Sequence, residues 1–291
     1  MVLNRITGAA WAVVFAVVVS LAASGAHAQT HAERALPSSA PSGDGSMTNA
    51  ITLNGIDGRA SGTFDLDLTG FTAEAWVRVS SVTISSISSG GSIVTYGRGS
   101  QQAFSMWLIP DAPGVEDSVS PRLQINFNNG TSRITPPVDV PVPFGQWAHI
   151  AMSYDNQTAK VYIDGQLARE ESWGVVMNPL PGGVLVLGRE FPGISEWLGG
   201  ELDEVRIWSC VLTQGEIQQG MMRTACPDDE SLFAYYPFDD DTGTAVIDAS
   251  GNGRDLTLVG GASLVNADAP VQPATNCAPC SIADLAQPFG E

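Results

Sequence analysis

Apolar side chains alternate with polar ones through much of this 291-residue chain, and this alternation constrains its fold more than any other feature. In residues 71–79 every odd position is apolar, while the even positions carry Thr, Glu, Trp and Arg. Successive side chains of a β-strand point to opposite faces, so the pattern predicts a strand with one face on a core. Residues 123–127, 147–154 and 159–163 repeat the alternation. The chain is therefore expected to form a β-sheet protein.

Turn signals separate these runs, and one segment favours a helix. The sequences Asn-Asn-Gly at 128–130 and Asp-Gly at 164–165 favour tight turns. Thr213 and Glu216 have the spacing of a capping box, which predicts a short helix that ends near Met222. Many short strands with almost no helix indicate an all-β protein. We predict a two-sheet antiparallel jelly-roll sandwich with one short helix.

The first 28 residues have the layout of a secretory signal peptide. Arg5 supplies a positive charge, residues 9–23 are an apolar run, and Ala-His-Ala at 26–28 is a small-x-small cleavage site. The continuous apolar stretch has about a dozen residues, whereas a membrane-spanning helix needs ~20. A retained anchor is the alternative. We expect a secreted or cell-surface protein with no membrane span after signal cleavage.

Composition divides the remaining chain into three parts. Residues 29–46 are rich in Ala, Ser, Pro and Gly, which is typical of a flexible leader. Residues 47–265 contain the alternating runs and are the predicted domain. Residues 266–291 begin as a Pro- and Ala-containing linker and end as a tail that contains cysteines.

The chain is strongly acidic. It has 31 acidic and 13 basic residues, a formal net charge of −18, and a single lysine, Lys160. Such a surface repels phosphate groups, which argues against nucleic acid or an anionic membrane as a partner. The acidity fits solubility in saline surroundings or an affinity for cations.

Four cysteines predict disulfide bonds, because cysteines of an exported chain pair in an oxidising environment. Cys210 and Cys226 lie in one segment, and Cys277 and Cys280 form a Cys-Ala-Pro-Cys motif near the end. This clustering predicts two local bridges. A zinc site is disfavoured because the histidines are distant in sequence. A redox-active motif is disfavoured because Cys277 follows a Pro- and Ala-rich linker.

Four segments, in a fixed order, resemble the LamG-like jelly-roll family of the concanavalin A-like lectin/glucanase superfamily. Residues 51–77 resemble the opening of that family, and residues 147–165 resemble its central hairpin. Residues 187–217 look like its closing strand and helix, and residues 232–253 are similar to the segment that pairs with its first strand. The resemblance covers about residues 47–265. It implies the jelly-roll fold but no ligand, because one fold carries many functions.

The last residues are similar to the start of a different module. Residues 280–291 resemble the beginning of a dockerin-like C-terminal module of secreted bacterial proteins. The calcium loop of that module would follow, and the sequence stops before it, which leaves open whether the chain is a fragment. The resemblance implies attachment to a cell surface or a complex through the tail.

Catalytic residues are not expected. Glycoside hydrolases of this sandwich carry Glu-x-Asp-x-Glu on one strand, where period two places the acids on one face. Glu201 and Asp203 would share a face, but the next position on it is Val205, and Glu204 points the other way. The sequence contains no Gly-x-Ser-x-Gly elbow either. We therefore predict a protein that is not an enzyme.

A structural calcium ion is implied by the resemblance. Asp203 is predicted at the edge of an apolar face, where a buried carboxylate needs hydrogen bonds or a cation. Related sandwiches place calcium at the matching aspartate and complete its shell from the turn after the first strand. That turn is residues 54–58 here, with Asn54 and Asp57 as oxygen donors. In the alternative, Asp203 only accepts backbone N–H groups.

Three tryptophans are candidates for ligand binding. Trp107, Trp173 and Trp197 are predicted in or near loops, where their rings could stack on sugars. Packing within the protein is the alternative role.

We predict a secreted, non-catalytic recognition module that binds a carbohydrate or an extracellular protein. A polysaccharide-active enzyme of the same fold and a structural or adhesive surface protein are the alternatives.

Overall fold

The computed structural model describes residues 48–66, 70–84, 89–98, 101–112, 115–126, 132–174, 176–177, 180–190 and 196–274. These residues belong to one compact unit. The predicted signal peptide and leader, the tail after residue 274, and Cys277 and Cys280 lie outside the described residues.

The described residues form seventeen strands and one helix. In chain order the elements are β1 Thr48–Asn54, β2 Arg59–Leu66, β3 Phe71–Ile84, β4 Ser89–Arg98, β5 Gln101–Ala112, β6 Val115–Asn126, β7 Ser132–Ile134, β8 Val142–Pro143, β9 Trp147–Tyr154, β10 Thr158–Ile163, β11 Gln166–Ser172, β12 Leu180–Leu187, β13 Leu198–Trp208, α1 Gln214–Gly220, β14 Leu232–Tyr236, β15 Ala245–Val246, β16 Leu256–Val259 and β17 Ser263–Ala267. The all-β sandwich with one short helix is confirmed.

The first sheet is antiparallel and centres on the long strand β13. β3 pairs along one edge of β13, while β1 and then β14 pair along the other. The sheet continues outward from β3 through β9 and β10 to β11, and from β1 to β17. β1 and β17 are far apart in sequence, so this pairing joins the two ends of the domain.

The second sheet lies across the core from the first. Its order is β15–β16–β2–β12–β4–β5–β6, and β7 and β8 pair with β6. The apolar residues of the alternating runs meet between the sheets, as predicted. Fully buried examples are Val77, Phe104, Ile150, Leu187 and Ile207.

The other face of the first sheet is covered by segments outside the strands. Ile217 of α1 packs into a second apolar cluster with Trp208 and Tyr235. Beyond β17, Ala269 and Val271 pack on Trp76. The packed part of the chain therefore reaches residue 274, past the boundary expected at residue 265.

The segment 80–92 is another difference between expectation and structure. Its Ser- and Gly-rich sequence predicts a long surface loop, but β3 continues to Ile84 and β4 starts at Ser89. Val82 pairs with Leu198, and Thr83 pairs with Gly90. Pairing with distant strands therefore extends the sheet into a sequence of weak intrinsic strand preference.

The predicted helix begins at the expected position. The Thr213 hydroxyl accepts from the Glu216 N–H, and the Glu216 carboxylate accepts from the Thr213 N–H, which completes the capping box. The helix ends at Gly220, before Met222. No helix among the described residues is long and apolar enough to cross a membrane.

Cys210 and Cys226 flank this helix. Cys210 is almost fully buried in the apolar cluster beneath the helix. The bond between Cys210 and Cys226 stays a prediction.

We expect Cys210→Ser to lower the midpoint of chemical unfolding under oxidising conditions. A bridge that closes a loop of this size stabilises by ~3 kcal/mol in the chain-entropy model. Non-reducing peptide mapping identifies the bond, and denaturation of the variant with and without reductant measures its effect. Equal midpoints for variant and parent, or a mapped bond from Cys210 to the tail, would contradict the predicted pairing.

Candidate functional site

A buried cluster of charged side chains lies on the covered face of the first sheet. Arg206 of β13 and Glu74 of β3 face each other, and the Arg206 Nη1 donates to the Glu74 Oε1 over 3.2 Å. Through Nη2, Arg206 also donates to Glu204. All three side chains are at most 4% exposed. Two carboxylates therefore surround one buried guanidinium.

Glu74 is held in its charged form. The Trp208 Nε1 donates to the Glu74 Oε1 over 3.0 Å, and the His149 Nε2 lies 3.4 Å from the Glu74 Oε2. Burial alone would raise the pKa of Glu74, but the hydrogen bond with His149 and the charge of Arg206 outweigh it and lower the pKa to about 2. Glu74 is therefore ionised at neutral pH. His149 is itself buried, 1% exposed.

A cavity of about 260 Å³ opens beside this cluster. Its lining includes Trp208 from the sheet and Glu216 and Arg223 from the segment that covers it. The charges at its floor compensate one another, and Arg206 also donates to the carbonyl of Gly220 at the end of the helix. This side of the sandwich is thus an ionic contact between the sheet and its own covering segment.

The alternation predicts that Asp203 shares a face with Val205. This prediction is wrong, because the strand has a bulge. Glu204 has a φ of 51°, in the left-handed region, and the register with β3 shifts between Asp203 and Arg206. Asp203 lies opposite Trp76 on the covered face, whereas Val205 and Ile207 are in the core. The alternation that would place these three residues on one face is broken at Glu204.

Asp203 is buried next to other acidic groups. It is 1% exposed, and one of its oxygens accepts the N–H of Glu204 over 2.7 Å. Burial and the nearby charge of Glu204 raise the pKa of Asp203 to about 8, and Asp239 adds to the rise. Asp203 is thus an acidic side chain whose charge is poorly compensated.

The other two predicted calcium ligands lie elsewhere. Asn54 pairs with Gly199, four residues along β13 from Asp203, which is a separation of about 13 Å at ~3.4 Å per residue. The Asn54 side chain instead accepts three N–H groups of its own turn, and Asp57 accepts from Asn54 and from the N–H of Gly261. The predicted set Asp203, Asn54 and Asp57 is therefore not brought together. Within the described ranges, no three His, Cys, Asp or Glu side chains form a group suited to a metal ion.

The outward face of the second sheet carries a different set of side chains. Across adjacent strands, Ser92 of β4 lies opposite Trp107 of β5, and Trp107 lies opposite Arg122 of β6. Trp107 is half-buried, and its Nε1 is a buried donor without a hydrogen-bond partner among the described residues. Ser92, Trp107 and Arg122, in this order, are called the Trp107 row below.

Beside this row lies a group of buried hydroxyls. The Thr95 hydroxyl is 2.6 Å from that of Ser92 and 2.9 Å from that of Ser105. Val94 and Phe104, their neighbours along the strands, point into the core, so these hydroxyls face away from it. All three hydroxyl residues are nevertheless fully buried. The polar side chains of this face are thus held in fixed positions.

The chain after β12 continues the Trp107 row on the far side of β4. The Gly188 N–H donates to the carbonyl of Ile93, which brings Arg189 beside the start of β4. The Arg189 guanidinium lies 4.7 Å from the centre of the Trp197 ring, and the two residues form a β-bridge. A side chain at Gly91 would touch the backbone of Trp197, and one at Gly90 would touch the Trp107 ring. Gly90 therefore lies against the Trp107 ring, and the next residue, Gly91, lies against the backbone of Trp197.

Trp173 lies away from this face. It is packed against the main core, with its ring 5.5 Å from that of Tyr154. Tyr154 pairs with Phe71 at one end of β3, and Leu198, next to Trp197, pairs with Val82 near the other end. Eleven residues of strand separate these positions by roughly 35 Å. Trp107 and the backbone of Trp197 both lie near the start of β4, whereas Trp173 lies near the other end of β3.

Several polar residues near Trp197 are not apparent from sequence. Glu190 and Glu196 are 5% and 3% exposed, and the Gln102 Nε2 donates to the Glu190 Oε1 over 3.0 Å. Arg189-Glu190 follows an apolar strand without any motif, so only the fold shows that these residues lie near Trp197.

Sequence comparison agrees with this architecture. Residues 48–218 match the sequence model of the family described as the concanavalin A-like lectin/glucanases superfamily. The chain belongs to this superfamily. Among curated proteins, no sequence matches the chain.

Two solved structures illustrate the fold of the superfamily. A putative carbohydrate-binding protein from Bacteroides ovatus is 22% identical with a TM-score of 0.56, over 78% of this chain and 62% of that one. A heptameric SAP-like pentraxin from Limulus polyphemus is 15% identical with a TM-score of 0.53, over 76% of this chain and 96% of that one. The chain thus spans 62% of the length of the Bacteroides protein. At these identities the similarity concerns the fold.

Asp203 makes stability depend on pH. With a folded pKa of about 8 against ~3.9 in the unfolded chain, Asp203 keeps a proton in the folded state that the unfolded chain loses between these values. The free energy of unfolding therefore falls as pH rises through this window, by up to ~1.4 kcal/mol per pH unit. Asp203→Asn lacks this titration and should become increasingly more stable than the parent from pH 5 to pH 8.

Urea unfolding at pH 5, 6.5 and 8 in the presence of EDTA measures this difference. Asp139→Asn is the matched control, because the Asp139 side chain is 96% exposed and its removal should give a constant difference from the parent. A pH-independent difference between Asp203→Asn and the parent would show that Asp203 is already ionised in the folded state.

Proposed function

We propose that this chain is a secreted, non-catalytic recognition module that binds a carbohydrate through the outward face of the second sheet. The observation that carries the proposal is the half-buried Trp107, set between Ser92 and Arg122 and close to Trp197. An aromatic ring with convergent hydrogen-bonding groups is the usual composition of a small-molecule site. The structurally similar protein from Bacteroides ovatus is described as a putative carbohydrate-binding protein, which supports the same proposal.

The chemistry of the face suits a sugar. An indole ring offers a flat apolar surface for the C–H groups of a pyranose, and its N–H is a donor. The Trp107 Nε1 has no partner among the described residues, and a buried donor gains when a ligand oxygen accepts from it. The neighbouring hydroxyls of Ser92, Thr95 and Ser105 hold one another in place, so little order is lost when a ligand binds.

Trp107→Ala should weaken carbohydrate binding at least tenfold without a large loss of stability. The ring supplies both stacking area and the free donor, and a tenfold change corresponds to ~1.4 kcal/mol. Trp173→Ala is the matched control, because Trp173 packs on Tyr154 in the core. It should lower the melting temperature and leave affinity unchanged at temperatures where it is folded. Binding to a polysaccharide array followed by calorimetry on the best hit gives both values.

The same array also tests the non-catalytic part of the proposal. Glu201, the acid of the hydrolase-like strand segment, forms an ion pair with Arg78 on the first sheet, away from the Trp107 row. We expect no release of reducing ends from any polysaccharide on the array. Turnover that disappears in Glu201→Gln or Glu190→Gln would establish the enzyme alternative. Equal affinity of Trp107→Ala and the parent would refute binding at this face.

Calcium at Asp203 is a separate proposal. A cation near Asp203 and Asp239 would compensate the buried charge that otherwise raises the pKa of Asp203. Asn54 and Asp57 are not part of this site, because they are about 13 Å along the strand, four residues at ~3.4 Å each. By binding both Asp203 and Asp239, which are distant in sequence, the ion would then stabilise the first sheet.

Added calcium should raise the melting temperature of the parent and leave Asp203→Asn unchanged. A ligand that binds only the folded state stabilises by RT ln(1 + [L]/Kd), about 2.7 kcal/mol at a hundredfold excess over Kd. Differential scanning calorimetry with calcium and with EDTA measures the shift. Asp139→Asn, which removes an exposed carboxylate, is the control. Identical melting curves of the parent in calcium and EDTA would leave Asp203 as a protonated, hydrogen-bonded acid.

Secretion and attachment complete the proposal. The small-x-small site at 26–28 supports export, and the predicted disulfide between Cys210 and Cys226 would fit an oxidising compartment. Attachment through residues 280–291 rests on their likeness to a dockerin-like module.

A further inference from the structure

Two arginines of the second-sheet face have no acidic partner. In a chain with 31 acidic and 13 basic residues, a carboxylate partner for each arginine is readily available. Among the described residues, Arg78, Arg169 and Arg206 all form ion pairs. Arg122 and Arg189 form none, and the same holds for several other arginines in the described part of the chain. The Nε atoms of Arg122 and Arg189 are buried without a hydrogen-bond partner there, as are those of Arg169 and Arg206. What sets Arg122 and Arg189 apart is that each is half-buried next to a tryptophan.

Their charges are partly removed from water, and neither has a carboxylate to compensate it, although Arg189 stacks on the Trp197 ring. Burial lowers the pKa of Arg122. Burial also lowers the pKa of Arg189, and the positive charge of nearby Arg59 adds to this effect. Arginine stays protonated at any ordinary pH, so these shifts reflect an unfavourable position for the charge. A half-buried guanidinium without a carboxylate partner is well placed to pair with an anionic group of a ligand.

Both arginines stand beside the candidate binding tryptophans. Arg122 lies directly opposite Trp107, and Arg189 stacks on Trp197. Arg189 and Arg122 are separated by the two strands β4 and β5, which places their backbones about 14 Å apart at ~4.8 Å per strand spacing. Each guanidinium is planar and can donate two parallel N–H groups to the oxygens of one carboxylate or sulfate.

We propose that the ligand of this face is an acidic glycan, whose carboxylate or sulfate groups pair with Arg122 and Arg189 while its sugar rings contact Trp107 and Trp197. This inference rests on the proposed carbohydrate-binding function and specifies its ligand class. The overall charge of −18 and the carboxylates of Glu190 and Glu196 near Trp197 oppose non-specific attraction of polyanions, so binding depends on the directed N–H donors of the two guanidinium groups. Neutral glycans would leave both guanidinium groups without a partner.

The probes come in pairs, and the two members of a pair share one polysaccharide backbone but differ in charge. Oligogalacturonate and its methyl ester compare a carboxylate with a neutral chain, and dextran sulfate and dextran compare a sulfate with a neutral chain. Alginate and chondroitin sulfate extend the acidic set. We expect the parent to bind at least one acidic probe, to bind no neutral partner with comparable affinity, and to bind more weakly at 500 mM than at 50 mM salt.

Arg122→Gln and Arg189→Gln should each weaken binding of the acidic probe at least tenfold. Arg122→Lys and Arg189→Lys, which keep the charge but lose the paired donors, should restore part of the affinity. Arg223→Gln is the matched control, because it removes the same charge from an exposed position on the other side of the sandwich. It should bind as the parent does. Melting temperatures within a few degrees of the parent confirm that each variant is folded.

The failures of the two proposals are distinguishable. Binding of neutral probes that depends on Trp107 and is indifferent to both arginine variants would overturn the acidic ligand and keep the glycan-binding function. An equal loss in Arg223→Gln would show an effect of total charge and would also overturn it. No binding of any acidic or neutral probe would overturn both proposals.

Discussion

The buried guanidinium of Arg206 is the contact on which one whole side of the molecule depends. It joins β13 to β3 through Glu74, and it joins the sheet to its covering segment through the carbonyls of Gly220 and Arg223. The last carbonyls of a helix have no partner within the helix, and a cation at that end is favourable. Removing one member of such a buried set leaves an uncompensated charge, which typically costs 3–5 kcal/mol, so its members are mutually dependent.

The same contact explains the bulge in β13. For Glu204 to reach Arg206 on the covered face while Val205 and Ile207 stay in the core, the strand must gain a residue, and it does so at the positive φ of Glu204. A non-glycine residue in this conformation is uncommon, and here the hydrogen bonds of Glu204 to Arg206 and Tyr235 offset the backbone cost. The poorly compensated position of Asp203 follows, since it is the residue just before the bulge.

Features of the fold that have a local sequence signal could be predicted, whereas features that depend on pairing between distant segments could not. The alternation in β3 and β9 and the capping box at Thr213 are local, and the structure confirms all three. The bulge at Glu204 has no local signature, because glutamate does not mark positive φ as glycine does. The Trp107 row depends on the register of three strands, and the positions of Arg122 beside Trp107 and of Arg189 beside Trp197 appear only in the folded structure. These properties arise from tertiary contacts.

The two outward faces of the sandwich differ in how their charges are satisfied. On the first sheet, Glu74, Glu204 and Arg206 neutralise one another beneath the protein's own covering segment. On the second sheet, Arg122 and Arg189 have no carboxylate partner among the described residues, although the chain is acidic. The proposed acidic glycan would supply these partners beside Trp107 and Trp197. Function is therefore expected on the face whose charges the protein leaves unpaired.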